Sequence, residues 1–332
     1  MTAQTEAVPA GRALPNRERL RRLLRDRPLI PLTGLLVILV ALMEVARPGA
    51  VTADWVGVTI RAAVPLAILA GCQTLCMLTG GIDLSVGMVA SMAAFIMATQ
   101  TGAQGPVVAI VLAVIAAVAA GIVNGIGIGV FKVHPLIMTL GLALVILGLM
   151  NVYQLVVVQS GTAIPDVVDW LGSGTTLPFL PNNMFLFIPL AVLIIAGLRF
   201  SGFGRLLFAV GDNPIAARLS GVRIWQVHLA LYTLSAVLAA IAGILVAGLV
   251  KTASLSLVEQ SVLPAVAAAV IGGTSIMGGR GGYSGTIIGA LILTVLTSLL
   301  IALQMPEAVR QILFGAIIVA VAAVYTRIVD VS

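Results

Sequence analysis

From residue 29 onward the chain is a succession of long apolar runs, near 29–46, 58–80, 82–101, 106–131, 134–158, 183–200, 225–250, 260–277, 284–303 and 307–327, with short polar breaks between them. A helix needs about 20 apolar residues to cross roughly 30 Å of hydrocarbon, so each run is read as a membrane span. The fold class expected is therefore an all-α membrane protein of about ten transmembrane helices. Composition agrees, because 60% of the 332 residues are hydrophobic and 9% are charged, whereas a soluble domain carries about 25% charged residues. Lipid must be the main solvent, and no length remains for a second folded domain. The organisation expected is a basic tail over 1–28 followed by one transmembrane domain over 29–327.

The distribution of charge sets the orientation. Residues 1–28 hold seven arginines and end at Pro28, which suits a flexible tail on the cytoplasmic side. Arg21-Arg22 reads as part of that tail rather than as an export signal. The first run is long enough to span and lacks a small-residue cleavage site after it, which argues against a secretory leader. Ten crossings then place both termini in the cytoplasm. Alternate loops support this, since the tail with Lys132, Arg199, Arg205, Arg218, Arg223, Arg280 and Arg327 accounts for fourteen of the eighteen basic residues. Arg47, Arg61, Lys251 and Arg310 remain outside, and the long outer loop 159–182 has Asp166 and Asp169 but no lysine or arginine. The net charge of +6 is thus a topology signal, and no nucleic-acid partner is expected.

Several chemistries lack support. Cys72 and Cys76 are four residues apart in an apolar run, a spacing that places both on one helix face as packing residues. His134 and His228 are isolated and show no HExxH spacing, so neither a metal site nor a catalytic cluster is expected. Lys132 and Lys251 are the only lysines, and neither follows a glycine as a phosphate-binding loop requires. The glycines at 121, 125, 127 and 129 lie within a span and have no preceding strand, so they do not form a dinucleotide fingerprint. Small residues four apart instead let membrane helices approach closely. Pro65, Pro189 and Pro264 fall within runs, where kinked or broken helices are expected.

Three segments carry more information. In the loop between the sixth and seventh runs, Asn213 suits an N-cap, Pro214 the first helical position and Gly221 the residue past the end. A two-turn helix over 214–220 is expected there, with Ile215 and Leu219 as an apolar face. It is read either as a simple connector or as a docking element. The second segment, Leu78-Thr79-Gly80-Gly81-Ile82-Asp83-Leu84-Ser85-Val86-Gly87, forms the hinge between the second and third runs. Asp83 is read first as the N-cap of the third span and second as a solute contact, because an acid near lipid depth is costly unless paired. The third segment runs from Ile271 to Thr286 and has five glycines between Gly278 and Gly285. It is expected to turn sharply at the inner face.

Taken together, Leu78 to Gly87, Gly204 to Gly221, Gly272 to Gly289 and the string Lys132-Val133-His134-Pro135-Leu136-Ile137-Met138-Thr139-Leu140-Gly141 are similar to the permease subunits of ribose/xylose/galactoside-type ABC importers. These are related more distantly to branched-chain amino-acid permeases. The resemblance covers about 58 to 325 and implies an ABC importer permease fold in the bacterial inner (plasma) membrane. It implies a second permease chain, identical or paralogous, two ABC ATPase subunits and a soluble substrate-binding protein. It also implies a non-catalytic transport subunit that binds no cofactor, with ATP and Mg held by the ATPase. The coupling loop would be 201–224, and Gly204, Arg205, Asn213, Pro214, Ala216, Ala217, Arg218, Leu219, Ser220 and Gly221 would couple it to the ATPase. One departure is Val262-Leu263-Pro264-Ala265, where some sugar permeases carry acids.

A hydroxyl-rich solute needs donors and acceptors along its path in place of water. Gln73, Asp83, Ser85, Asn124, Thr139, Asn151, Gln154 and Thr274 are the candidates, each of which could equally hold helices together. A sugar-like solute (pentose, hexose or related polyol) is the first expectation. A non-sugar solute such as an amino acid or autoinducer-like molecule is the alternative, and an ATP-independent secondary carrier the third. The third is disfavoured because the spans have few of the acids and histidines that couple ions.

Overall fold

The computed structural model describes residues 29–319, except 157, 159, 160, 178, 314, 317 and 318. The basic tail over 1–28 lies outside the described residues. So does the end of the run at 307–327, although residues 307–313 are helical where it begins. Among the described residues there is no β-strand, only an isolated bridge between Leu177 and Leu180.

The helices are α1 (Leu29–Ala46), α2 (Ala53–Leu78), α3 (Val86–Gln104), α4 (Pro106–Gly129), α5 (Pro135–Val156), α6 (Asp166–Ser173), α7 (Asn183–Phe200), α8 (Gly202–Asp212), α9 (Pro214–Leu219), α10 (Ile224–Val250), α11 (Val262–Ile271) and α12 (Tyr283–Ala302). Eight of them are long and apolar enough to cross a membrane: α1 to α5, α7, α10 and α12. The chain is thus an all-α membrane protein. Local chemistry sets many ends, as where the Thr52 side chain accepts the Trp55 N–H at 3.1 Å to open α2. Pro65 and Pro189 stay inside α2 and α7 without ending either helix.

The run at 260–277 departs from expectation. Its helix is α11, ten residues from Val262 to Ile271, about 15 Å long and half of what a bilayer demands. Pro264 sits in its first turn, where a missing N–H leaves no helical bond unmade. The remainder of the crossing is irregular backbone. Lys251, just after α10, pairs with Asp169 on α6 at 3.1 Å, and seven residues later the Val258 N–H donates to Ser91 Oγ of α3 at 2.9 Å. Residues 278 and 279 then reach the opposite end of the bundle, against Gly211 and Asp212. Within these stretches Ala253, Val258, Thr274 and Ser275 are buried against the bundle, the kind of setting in which non-helical backbone is tolerated at membrane depth.

The core lies among α2, α3 and α10, whereas α1 buries only Met43. Helix α4 lies against α10 along a ladder of glycines. A Cβ on Gly121 would come within 2.7 Å of Thr233 Cα, one on Gly125 within 2.6 Å of Leu229 Cα, and one on Gly129 within 2.9 Å of the Trp225 carbonyl oxygen. Lipid supplies little drive for helix association, so such close backbone contact provides the dispersion energy instead. Cys72 and Cys76 are buried and both face Ser235 of α10.

Helix α10 also separates two ends of the molecule. Its 27 residues span about 40 Å, with α6 packed near Gly248 at one end and α9 near Ile224 at the other. Hydrogen bonds from Ser173 and then Lys251 hold the Asp169 carboxyl at the α6 end below its ordinary range. Lys132, Arg218 and Arg223 border one cavity at the opposite end. The basic loops that the sequence assigns to one face therefore do converge.

Candidate functional site

The segment between α7 and α10 is more ordered than its sequence suggests. Ser201 accepts the Gly204 N–H at 3.0 Å and opens α8, a helix the sequence reading did not anticipate. Its signal was present in the serine cap and in Leu207 and Val210, which are buried while Arg205 stays exposed. Gly204 lies so near the end of α7 that a Cβ would stand 2.2 Å from the Leu198 carbonyl oxygen.

The helix expected over 214–220 occurs as α9, one residue shorter, with Ser220 as its C-cap. Asn213 Oδ1 accepts the Ala216 N–H at 2.9 Å, Pro214 occupies the first position, and Gly221 turns away with φ of +86°. Ala217 faces inward. Ile215 and Leu219 are 73% and 84% exposed, and Ala216, Arg218 and Ser220 share that open surface.

What anchors this element is the junction beneath it. A Cβ on Gly211, at the end of α8, would lie 1.8 Å from the Leu78 carbonyl oxygen and 2.6 Å from the Gly279 nitrogen. That same carbonyl accepts the Gly279 N–H at 3.0 Å. Gly278 in turn approaches Gly211 and Gly80, while Gly279 approaches Asp212. The three glycine-rich segments, far apart in sequence, thus touch backbone to backbone just before the start of α9.

The hinge over 79–85 leads from this junction into a buried polar cluster. Asp83 Oδ1 accepts the Ser85 N–H at 2.9 Å and the Ser85 hydroxyl at 2.6 Å, and Oδ2 accepts the Ser235 hydroxyl at 3.3 Å. The N-cap position of α3 belongs to Ser85, which makes no side-chain cap bond. The expected capping by Asp83 is therefore corrected: its carboxylate closes a turn ahead of the helix. Gln73 Nε2 donates to the Asp83 carbonyl oxygen at 2.7 Å, Asn124 Nδ2 donates to Ser85 Oγ at 2.8 Å, and Thr139 Oγ1 accepts the Leu84 N–H at 3.0 Å. Five of the eight candidate path residues thus form one network, together with Ser235, which the sequence reading missed although it is a hydroxyl within a span.

The other three lie elsewhere. Thr274 is buried with its hydroxyl unpartnered, close to Gly281. Asn151 and Gln154 are exposed on α5, where Asn151 bonds only back to the Leu147 carbonyl at 2.8 Å. The network holds α2, α4, α5 and α10 to the hinge that opens α3, and in this arrangement its side chains are closed off from solvent.

One consequence can be measured. Asp83→Ala leaves three buried donors, the Ser85 N–H, the Ser85 hydroxyl and the Ser235 hydroxyl, without their acceptor and should cost about 2 kcal/mol, whereas Asp83→Asn keeps one acceptor and should cost about half as much. Thermal unfolding of the purified chain in detergent would rank the three proteins. Identical midpoints would remove the carboxylate from the packing account.

Comparison with known proteins places these features in context. The family described as branched-chain amino acid transport system / permease component matches residues 57–322. The chain is 33% identical over 320 residues to the probable ABC transporter permease protein YphD of Escherichia coli strain K12, covering 96% of this chain and 95% of that one. It is 31% identical to the ribose import permease protein RbsC of the same strain, over 79% of this chain and 83% of the relative. It is 32% identical to the galactofuranose transporter permease protein YtfT, again of that strain, over 80% and 77%. No solved structure matches.

Proposed function

The chain belongs to the family of transport permeases described for the branched-chain amino acid systems, a multi-pass membrane subunit, and from that premise we propose that it imports a sugar-like solute in an ATP-binding-cassette transporter. The names of its ribose and galactofuranose relatives support the solute class. The reading extends to a bacterial inner membrane, a second permease chain, a soluble binding protein that delivers solute, and an ATPase that holds ATP and Mg.

The observation that carries the mechanism is the contact of Gly211 with Leu78 and Gly279. Helix α9 presents Ile215 and Leu219 to the ATPase. ATP binding there favours one of two packed arrangements, and a push on α9 passes through Gly211 to the 79–85 hinge and to the 272–281 loop. The hinge carries Asp83 and Ser85, whose network ties four spans together. Displacing it shifts those spans relative to one another and opens or shuts the path. Gly204, Arg205, Asn213, Pro214, Ala216, Ala217, Arg218, Ser220 and Gly221 shape and position the coupling element. Gln73, Asn124, Thr139 and Thr274 border the region that moves.

A second reading, an amino acid or other non-sugar solute, is favoured by one feature, the apolar Val262-Leu263-Pro264-Ala265 opening α11. The test for both is uptake of radiolabelled ribose, fructose, galactose and leucine into vesicles holding the chain with and without its ATPase. Sugar accumulation that requires both ATPase and ATP is expected. Accumulation that persists without nucleotide would end the importer assignment, and uptake of leucine alone would select the second reading.

A further inference from the structure

At the basic end of the bundle a cavity of about 1030 Å³ opens between the α4–α5 turn, α9 and the start of α10. Lys132, Arg218 and Arg223 line it, with His134 and His228, and no carboxylate does. Lys132 is held there with φ of +56°, a left-handed conformation that a long side chain rarely adopts. Three cations facing one concavity repel each other unless an anion is supplied. Trp225 lines this cavity and also a second groove of about 600 Å³ that continues up α10. That groove is apolar in the main, bordered by Ile122 of α4 and by Leu229, Leu234 and Val237. From residue 225 to 237 it follows about 18 Å of helix, comparable to an acyl chain.

We propose that this composite pocket binds an anionic phospholipid of the adjoining leaflet, with its phosphate among Lys132, Arg218 and Arg223 and one acyl chain along α10. A free phosphate would satisfy the cations and leave the groove without an occupant. A zwitterionic lipid would bring an ammonium group into a cavity that already holds three cations. The two features joined at Trp225 fit a lipid that is both acidic and chain-bearing. Because Arg218 belongs to α9, the bound headgroup lies directly against the coupling element.

The test uses Trp225 as reporter. In the full-length chain carrying Trp55→Phe and Trp170→Phe, Trp225 is the one tryptophan left of three. The protein is reconstituted into phosphatidylcholine vesicles containing dibrominated phosphatidylglycerol or dibrominated phosphatidylcholine as quencher. Half-quenching should need a mole fraction about a hundredfold lower for the acidic lipid, the ratio that roughly 1 kcal/mol from each of three basic side chains produces. Lys132→Gln with Arg223→Gln leaves Arg218 alone and should bring the two lipids within about fivefold of each other. Arg199→Gln, which removes a cation outside the cavity, should leave the preference intact, and excess inorganic phosphate should not relieve the quenching. Equal quenching by both lipids would overturn the proposal, as would an equal effect of Arg199→Gln, which would indicate diffuse surface charge. Relief by phosphate would assign the cavity to a free anion. Absence of quenching by either lipid would mean that protein covers the groove.

Discussion

Gly211→Ala should reduce ATP-dependent uptake at least about tenfold, because the added methyl would have to occupy a position 1.8 Å from the Leu78 carbonyl oxygen. No rotamer change can relieve that contact, since both partners are backbone. Helix α8 must move off the hinge by more than 1 Å, and overpacking of this kind costs about 1–3 kcal/mol or more. The movement breaks the junction where Gly211 of the coupling segment meets Leu78, at the start of the hinge, and Gly279 of the 272–281 loop. Gly197→Ala is the matched control. A Cβ there meets nothing within 4 Å, and alanine is the better helix former by about 1 kcal/mol, so uptake should hold and the melting temperature should stay level or rise. Uptake per assembled transporter, measured in proteoliposomes beside thermal unfolding, separates the two. A Gly211→Ala protein with wild-type uptake and stability would refute transmission through this junction.

The double substitution Ile215→Asp with Leu219→Asp should abolish association with the ATPase while leaving the chain folded. Both side chains project into open space, and exposed substitutions away from caps usually change stability by less than about 0.5 kcal/mol. Buried against a partner, each apolar side chain would contribute about 2 kcal/mol, so losing both weakens the complex roughly a thousandfold. Burying two carboxylates in their place weakens it further. Co-purification of the ATPase with tagged permease reads the effect directly. Retention of the ATPase by the double variant would exclude α9 as the docking element.

How legible this protein was depended on how local each feature is. The spans could be read from the sequence because an apolar run of sufficient length has one stable state in lipid, a helix that satisfies its own backbone. Helix α9 was legible for a similar reason, since Asn213, Pro214 and Gly221 act within a few residues of one another. The run at 260–277 was misread as a continuous span because apolar composition does not distinguish one long helix from a short helix continued by irregular backbone. Helix α8 escaped notice because its apolar face is brief and its cap, Ser201, directly follows another helix.

The candidate site divides along the same line. Asp83 could be recognised as costly near lipid depth, and a local partner for it, a helix N-terminus, was the natural expectation. Its actual partners include Ser235, 152 residues away, which only the meeting of α10 with the hinge brings near. Asn151 and Gln154 carry the same chemistry as Gln73 and Asn124, yet they face outward on α5, and nothing in their immediate neighbours distinguishes the two pairs.

By itself, then, the sequence determined which stretches enter the membrane, which loops share a face, and where a short capped helix interrupts them. Each of these follows from transfer free energy, charge placement or capping within a few turns of chain. The tertiary structure alone decided that Leu78, Gly211 and Gly279 share a point, and that five polar side chains close into one network around Asp83. Contacts between backbones so distant along the chain are selected by the packing of whole helices, and no residue's own neighbours encode them.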